Sequence, residues 1–217
     1  MLFLCYTING DIMRIGIDID GVLNSQYIFC IEYGTKFCNE LGKYKLENLN
    51  VIDTTDMFLW GEDVAHQFWD KYRKELVVNL PAKRFASEVI KKLKDESNEI
   101  YIITARKNND EWFSETLKKD VEKITKKWLK NNDIYYDKIF FDVKNKGLLC
   151  KENNIDFMIE DDPKNLKTLI GNTEVIVFDY PYNRNREFEN LIRVYSWYDI
   201  YDKINKFGND ENGKNRN

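Results

Sequence analysis

Two aspartates stand two residues apart near the start of the chain, Asp18 and Asp20, and Gly21 follows them directly. The preceding run, residues 14–17, is apolar enough to predict a buried strand. A strand that ends in Asp-x-Asp-Gly places two carboxylates at its carboxyl end, and the glycine lets the backbone turn sharply beside a ligand. Two like charges at one strand end repel each other unless a cation lies between them. The motif therefore suits a carboxylate nucleophile, a neighbouring acid/base group and a hard metal ion.

An Asp-Gly pair is also a common signal of a β-hairpin turn. A hairpin requires the chain to return as a second alternating strand, whereas residues 25–41 show a helical pattern. The sequence therefore favours a strand that leads into a helix, with the two aspartates at the junction.

The composition restricts the partners that the protein can bind. The chain has 217 residues, of which 43% are hydrophobic and 14% aromatic, enough for one well-packed domain with an insert. The formal net charge of −4 argues against nucleic acid as the main partner, because proteins that bind phosphate backbones present a basic face. An anionic substrate would therefore need positive side chains inside its site.

Cysteine and histidine chemistry is disfavoured. The four cysteines are scattered and form no Cys-x-x-Cys pair, which argues against a structural zinc site and a disulfide framework. They are Cys5, Cys30, Cys38 and Cys150. The single histidine, His66, lies in an aromatic helical segment far in sequence from a nucleophile, so Ser-His-Asp and Cys-His mechanisms are disfavoured.

The apolar runs and the chain ends bear on location. No apolar run reaches the length of a membrane-spanning helix. Residues 1–11 lack the basic start and the small-residue cleavage site of a signal peptide, so we expect a cytoplasmic protein. Residues 206–217 are predicted to form a disordered tail, because they offer little to bury.

Five short runs rich in Ile, Val and Phe predict strands that are covered on both faces. They are residues 14–18, 99–104, 138–142, 156–160 and 174–179. Helical patterns lie between them, at residues 86–96, 111–131, 147–152 and 163–170. Strands that alternate with helices indicate an α/β fold with a Rossmann-like parallel sheet and helices on both faces.

Residues 25–80 interrupt this alternation between the first and second strands. Two helical stretches, 26–41 and 62–76, predict a small helical cap that could close over the sheet edge. The α/β core is therefore predicted to comprise residues 1–24 and 81–205.

The predicted cap is dense in aromatic residues, and its link at residues 50–61 is predicted to be irregular. Most of these aromatic side chains are expected to form the core of the cap itself. Phe58, Trp60 and Trp69 are predicted to face the cleft, where they would stack on a ring-bearing substrate.

Acidic or hydroxyl side chains follow every predicted strand. They are Asp18, Thr104, Asp142, the pair Glu160 and Asp161, and Asp179. Ligands of open α/β sheets bind beyond the carboxyl ends of the strands, so this pattern is typical of a metal-assisted site. For Asp142 and Asp179 we favour a simpler role, as strand terminators or helix caps.

Four elements in chain order resemble the phosphatases of the haloacid dehalogenase (HAD) superfamily. They are Asp18-x-Asp20, Thr104, a lysine before the helix at residue 147, and Glu160-Asp161. The resemblance spans residues 14–204, and within the superfamily the chain is most similar to the 5'(3')-deoxyribonucleotidase family and its bacterial relatives. This similarity rests on the motifs Asp-Ile-Asp-Gly-Val-Leu and Ile-Ile-Thr-Ala-Arg, on the aromatic insert, and on the acidic pair followed by x-Pro. The motif Tyr-Pro-Tyr-Asn at residues 180–183 is also similar but is less specific.

The resemblance implies a phosphomonoesterase with two catalytic aspartates. Asp18 would attack phosphorus and form an aspartyl-phosphate. Asp20 would protonate the leaving oxygen and then activate water, which requires that its pKa be raised.

The resemblance also implies Mg²⁺ as cofactor. The Asp18 carboxylate, the Asp20 carbonyl and Asp161 would hold the ion. Glu160 would contribute directly or through a water molecule. A shifted register, in which Asp161 and Asp162 form the acidic pair, stays open.

Several further side chains are implied to contact the phosphate. The Thr104 hydroxyl would donate to a phosphate oxygen, and Lys146 would neutralise phosphoryl charge, with Lys144 as the alternative. The backbone N–H groups of the turn Gly21-Val22 would bind phosphate. Arg106 would contact phosphate or the insert, or else form a surface ion pair.

These expectations together predict a phosphatase of a small phosphorylated metabolite, with a nucleoside monophosphate as the expected substrate. A phosphatase of another metabolite, such as a sugar phosphate, and a non-catalytic binding module both stay open, because a fold does not fix a function. No nucleic-acid or membrane partner is expected, and a homodimer is left open.

Overall fold

The computed structural model describes residues 12–110 and 117–214, with side chains described as far as residue 207. Within that part of the chain, six parallel strands form one sheet. They are β1 (Arg14–Ile17), β2 (Glu99–Ile103), β3 (Lys138–Phe140), β4 (Phe157–Glu160), β5 (Glu174–Phe178) and β6 (Ile192–Val194). Their spatial order is β3-β2-β1-β4-β5-β6, which confirms the predicted α/β fold class.

The helices lie between the strands in sequence. They are α1 (Gln26–Leu41), α2 (Thr54–Phe58), α3 (Glu62–Lys74), α4 (Ala86–Asp95), α5 (Val121–Asn131), α6 (Lys146–Glu152), α7 (Pro163–Leu169) and α8 (Trp197–Lys214). Among the described residues, none of these helices has the length and apolarity that crossing a membrane requires.

The core consists of two apolar layers, one on each face of the sheet. Alternate residues of a strand point to opposite faces. Ile100 and Ile102 of β2 therefore pack in the layer that α4, α5 and α8 cover, whereas Tyr101 and Ile103 pack in the layer beneath α6 and α7.

The strand and helix predictions hold, with local differences. Of the helix predicted at 111–131, residues 121–131 form α5, residues 117–120 form a turn and a short 3-10 segment, and residues 111–116 lie outside the described residues. The strand β6 was not predicted, because its three residues have a charged arginine at the centre and form only the edge of the sheet. The helix α8 extends to Lys214, beyond residue 206, where the sequence predicts that a tail begins.

The insert between β1 and β2 leaves and re-enters the core at one place. Asn24 and Ala82 pair in an isolated antiparallel bridge, and the Lys83 N–H donates to the Leu23 carbonyl at 2.7 Å. The link predicted to be irregular contains α2, which begins because the Asp53 side chain accepts a hydrogen bond from the Thr55 N–H at 2.8 Å.

Candidate active site

The carboxyl ends of β1 and β4 meet where the strand order reverses. The chain passes from β1 to β2 on one side of the sheet, while β4 pairs with β1 on the other. A crevice forms at such a switch point in open parallel sheets. Asp18 follows β1, Glu160 ends β4, and the Asp18 N–H donates to the Ile159 carbonyl at 3.1 Å. Backbone pairing thus fixes the side chains of the two strand ends against each other.

Three carboxylates converge at this point. Asp18, Glu160 and Asp161 each offer an oxygen, and these oxygens all lie within 4.8 Å of one another. The three residues are 6%, 0% and 1% exposed. Buried charges of one sign repel strongly because little water screens them, so such a cluster needs compensating cations.

Lys146 supplies one compensating charge. Its ammonium donates to Asp18 Oδ1 at 2.5 Å and to Glu160 Oε2 at 2.6 Å, and the side chain is buried. Burial alone would lower the pKa of Lys146, but the charges of the two carboxylates outweigh it and raise that pKa, which keeps the amine protonated. Lys144 is exposed, so the structure places Lys146 in the site and the alternative outside it.

Glu160 already accepts four hydrogen bonds. Its Oε1 accepts from the N–H groups of Asp161 and Asp162, at 2.9 and 3.0 Å. Its Oε2 accepts from Lys146 and from Asn165 Nδ2, the latter at 3.2 Å. The carboxylate therefore orients the lysine and the chain after β4, and it has little capacity left for a direct metal bond.

Asp161 has one oxygen satisfied and one open. Oδ2 accepts a hydrogen bond from the Tyr182 hydroxyl, whereas Oδ1 is buried and has no hydrogen-bond partner within the described part of the chain. Burial, together with the charges of Glu160 and Asp18, raises the pKa of Asp161 well above its ordinary value. An unpartnered buried oxygen of this kind calls for an absent ligand.

The donor set fits a hard divalent cation. Burial, together with the charges of Glu160 and Asp20, raises the pKa of Asp18 to about 7 against the opposing charge of Lys146. One lysine thus faces three carboxylates, and Asp161 Oδ1 is open. Oxygen ligands with excess negative charge are the donors that Mg²⁺ prefers.

Asp162 has a different role from Asp161. Its Oδ1 accepts from the Lys164 N–H at 2.8 Å and caps α7, which begins at Pro163. Asp162 does not belong to the carboxylate cluster of the described residues, so the geometry favours Asp161 over the shifted register.

Asp20 differs from its predicted state. Arg106 binds its carboxylate with two hydrogen bonds, at 2.8 and 2.6 Å, and Asn24 donates to it at 2.9 Å. Burial raises the pKa of Asp20, but the Arg106 charge and these hydrogen bonds outweigh it, so the pKa is lowered. The expectation of a raised pKa is therefore wrong for this conformation. The surface ion pair considered for Arg106 is also wrong, because its side chain is buried.

The turn after β1 packs tightly against Asp161. Gly21 has φ +89°, and a Cβ there would lie 2.0 Å from Asp161 Oδ2. The Gly21 N–H donates to Asn24 Oδ1 at 3.1 Å, so it is already committed and is not open to a phosphate as predicted. Thr104 is buried after β2, and its hydroxyl accepts from the Arg106 N–H at 3.2 Å.

Two of the three predicted stacking residues lie inside the cap core. Phe58 stacks on Trp60 with ring centroids 4.6 Å apart, and Trp60 also packs against Phe68. Phe58 fits there because Gly34 of α1 leaves room for its ring. The prediction that Phe58 and Trp60 face the cleft is therefore wrong. Trp69 is buried too, with the guanidinium of Arg73 lying 3.8 Å from its ring centroid.

A cavity lies between the cap and the sheet edge. Tyr27, Cys30 and Ile52 line it from the cap side, and Asp20, Asp161 and Tyr182 line it from the core side. Its volume of about 10 Å³ is near the lower limit of the space that one water molecule needs. The cap is therefore closed over the carboxylates in this conformation.

Sequence reasoning missed four residues around the site. Tyr182 and Asn183 contact Asp161, and Tyr180 donates through its hydroxyl to the Gly21 carbonyl at 2.9 Å. Lys83, where the chain returns from the cap, donates to the Tyr180 hydroxyl. The tyrosines follow β5 at the same sheet edge, so the strand-end rule applied to that strand could have found them. Nothing in the sequence around Lys83 points to the site.

The comparisons with known proteins agree with this geometry. The family model described as "5' nucleotidase, deoxy (Pyrimidine), cytosolic type C protein" matches residues 11–207. A nucleotidase of Clostridium acetobutylicum is 26% identical over 201 residues, which cover 89% of this chain and 94% of that protein.

Two solved structures show the same fold. A haloacid dehalogenase-like family hydrolase of Streptococcus pneumoniae matches with a TM-score of 0.62 at 11% identity, covering 89% of this chain and 98% of that one. A β-phosphoglucomutase of Clostridium difficile matches with a TM-score of 0.56 at 16% identity, covering 92% and 98%. Because the family model spans most of the chain, the protein belongs to the cytosolic type C 5'-nucleotidase family and is a phosphatase-type hydrolase, and its fold is that of the haloacid dehalogenase-like hydrolase.

Proposed function

We propose that the protein is a Mg²⁺-dependent phosphomonoesterase that forms an aspartyl-phosphate on Asp18 and acts on nucleoside monophosphates. The observation behind this proposal is the carboxylate cluster that Lys146 bridges, together with a buried oxygen of Asp161 that has no hydrogen-bond partner among the described residues. A binding module would need neither this cluster nor, next to it, a second aspartate that forms an ion pair with an arginine.

Asp18 and Asp161 are the residues that would hold Mg²⁺, with the Asp20 carbonyl. The ion would polarise the phosphoryl group and reduce its repulsion from the nucleophile. Glu160 would act through Lys146 and at most through a water molecule, because its oxygens already accept four hydrogen bonds.

Asp18 is oriented for attack by its hydrogen bond to Lys146. The lysine holds Oδ1 at 2.5 Å, so Oδ2 is the oxygen that would form the bond to phosphorus. As that bond forms, the ester oxygen leaves with the bonding electrons and takes a proton. Water would then cleave the aspartyl-phosphate and regenerate the carboxylate. Lys146 would neutralise charge on the phosphoryl oxygens in both steps.

Asp20 would donate the proton after it exchanges partners. In the closed conformation both of its oxygens are held by Arg106. A substrate phosphate competes for that guanidinium, because arginine binds phosphate with the same two-pronged geometry as carboxylate. We infer that loss of the guanidinium removes the interaction that lowers the Asp20 pKa, so the carboxyl takes up a proton from water and passes it to the leaving oxygen, while Arg106 becomes a substrate-binding residue.

The cap would control access to the site. Residues 25–80 would act as the cap on a core of residues 1–24 and 81–205, with a hinge at the paired connections near Asn24 and Ala82. A nucleotide does not fit the closed cavity, so α1 must separate from the sheet edge to admit it.

The rings that reach the cavity suit a nucleobase. Tyr27 and Tyr182 line it and offer faces for stacking. The burial of Phe58 and Trp60 removes two predicted stacking groups, so a phosphorylated sugar is the second candidate substrate.

A substrate panel tests the activity. We expect nucleoside monophosphates to be hydrolysed at least about tenfold faster, by kcat/KM, than phosphorylated sugars. Chelation by EDTA should abolish turnover and added Mg²⁺ should restore it, because the carboxylate cluster needs the cation. Faster turnover of the sugars would refute the nucleotide assignment, and turnover in EDTA would refute the metal requirement.

Substitution of the nucleophile tests the covalent mechanism. Asp18→Asn should lower kcat by about 10³-fold or more, because an amide cannot form the acyl phosphate. Asp142→Asn is the matched control: this exposed strand-end aspartate has φ +53°, a conformation that asparagine tolerates. Equal kcat values for wild type and Asp18→Asn would contradict the mechanism.

The contact between Gly21 and Asp161 can be tested by adding one methyl group. Gly21→Ala should lower kcat/KM by about 10²-fold, since its Cβ would displace the held Asp161 carboxylate. Gly42→Ala shares the positive φ (+65°) but has open space around its Cβ, so it should lose only some stability and keep its activity. Similar activity in the two variants would show that the contact is unimportant.

A further inference from the structure

Tyr182 contacts the Asp161 side chain and makes its two carboxylate oxygens inequivalent. The Tyr182 hydroxyl donates to Oδ2, and Oδ1 is the oxygen without a hydrogen-bond partner among the described residues. Both residues are buried. One oxygen is therefore committed to the tyrosine, and the other is open to a ligand.

The backbone of Asp161 is fixed by the same turn. Asn183, next to the tyrosine, donates from Nδ2 to the carbonyls of Asp161 and Phe178, both at 2.9 Å. Arg193 of β6 donates to Asn183 Oδ1 at 2.7 Å and so orients the amide. The residues after β5 thus fix both the main chain and the side chain of Asp161.

The Tyr182 ring itself has little freedom. It stacks on Tyr180 with ring centroids 5.1 Å apart and an interplanar angle of 11°. Tyr27 of α1 packs edge-on against it at 5.2 Å. Rotation of the ring away from Asp161 would have to disrupt its stacking on Tyr180, which stays with the sheet when α1 separates, so the hydrogen bond is held in place.

We propose that Tyr182 is a positioning residue that presents Asp161 to the metal through Oδ1 alone and thereby favours Mg²⁺ over Ca²⁺. This inference rests on the proposed Mg²⁺-dependent function. Mg²⁺ requires a compact octahedron of ligands, whereas the larger Ca²⁺ accepts carboxylates that bind through both oxygens and takes more ligands. The Tyr182 hydroxyl, hydrogen-bonded to Oδ2, blocks binding of a cation through both oxygens.

Loss of the hydroxyl should change metal selectivity. Without it, Oδ2 is buried and unpaired, so the carboxylate gains by turning both oxygens toward a cation. Residues that orient metal ligands typically contribute 10- to 100-fold to affinity. We expect Tyr182→Phe to bind Mg²⁺ about tenfold more weakly, with a smaller loss or a gain for Ca²⁺.

Calorimetric titration of metal-free protein with Mg²⁺ and, separately, with Ca²⁺ tests this inference without relying on activity. Tyr101→Phe is the matched control, because the Tyr101 hydroxyl also donates to a carboxylate, that of Glu99 at 2.6 Å, but outside the site. The inference predicts a lower ratio of Mg²⁺ to Ca²⁺ affinity in Tyr182→Phe and an unchanged ratio in Tyr101→Phe.

Other results would overturn the inference in distinguishable ways. If wild type binds Mg²⁺ and Tyr182→Phe has the same two affinities, Tyr182 has no positioning role and the proposed function stands. If wild type binds no Mg²⁺, the proposed function fails and the inference fails with it. Should Tyr182→Phe not fold, a crystal structure of the wild type with Mg²⁺ decides: Oδ1 alone on the ion supports the inference, and both oxygens on it refute it.

Discussion

The structure depends on the repulsion between negative charges at the carboxyl ends of its central strands. Three buried carboxylates, Asp18, Glu160 and Asp161, lie within a few ångströms of one another, and among the groups that hydrogen-bond to them in the described part of the chain only Lys146 carries a full positive charge. The strand order produces this repulsion, because it places the carboxyl ends of β1 and β4 next to each other at the switch point. A protein without a use for the cluster would gain stability by replacing one acid with an apolar residue. In the function that we propose, the retained charge would give the site its affinity for a cation.

Different neighbouring residues orient the different members of this cluster. Glu160 orients Lys146, and Lys146 orients Asp18. Tyr182 and Asn183 orient Asp161 from the other side. The groups that would bond to metal and phosphate are thus held by hydrogen bonds from neighbouring side chains. Asp20 is the exception, because its partner Arg106 can exchange it for another anion.

The sequence predicts which strand ends form the site better than it predicts which side chains contact one another there. Strand-end acids such as Asp18 and Asp161 are predictable because parallel strands deliver their carboxyl ends to one edge. The pairing of Asp20 with Arg106 joins residues 86 positions apart, and no local pattern encodes it. The same holds for the bond from Tyr182 to Asp161. The orientation of Phe58 was mispredicted because helical spacing does not reveal that Gly34, on another helix, opens a space for its ring.

The central claim is that a divalent cation relieves the repulsion among the buried carboxylates, and the free energy of unfolding of Asp161→Asn tests it most directly. Urea titrations without and with Mg²⁺ would compare this variant with wild type. The account predicts that the variant is the more stable of the two without Mg²⁺, because one negative charge has been removed. It also predicts that Mg²⁺ stabilises only the wild type, in proportion to the logarithm of its concentration above Kd. A variant less stable than wild type in metal-free buffer, with neither protein responding to Mg²⁺, would contradict the account.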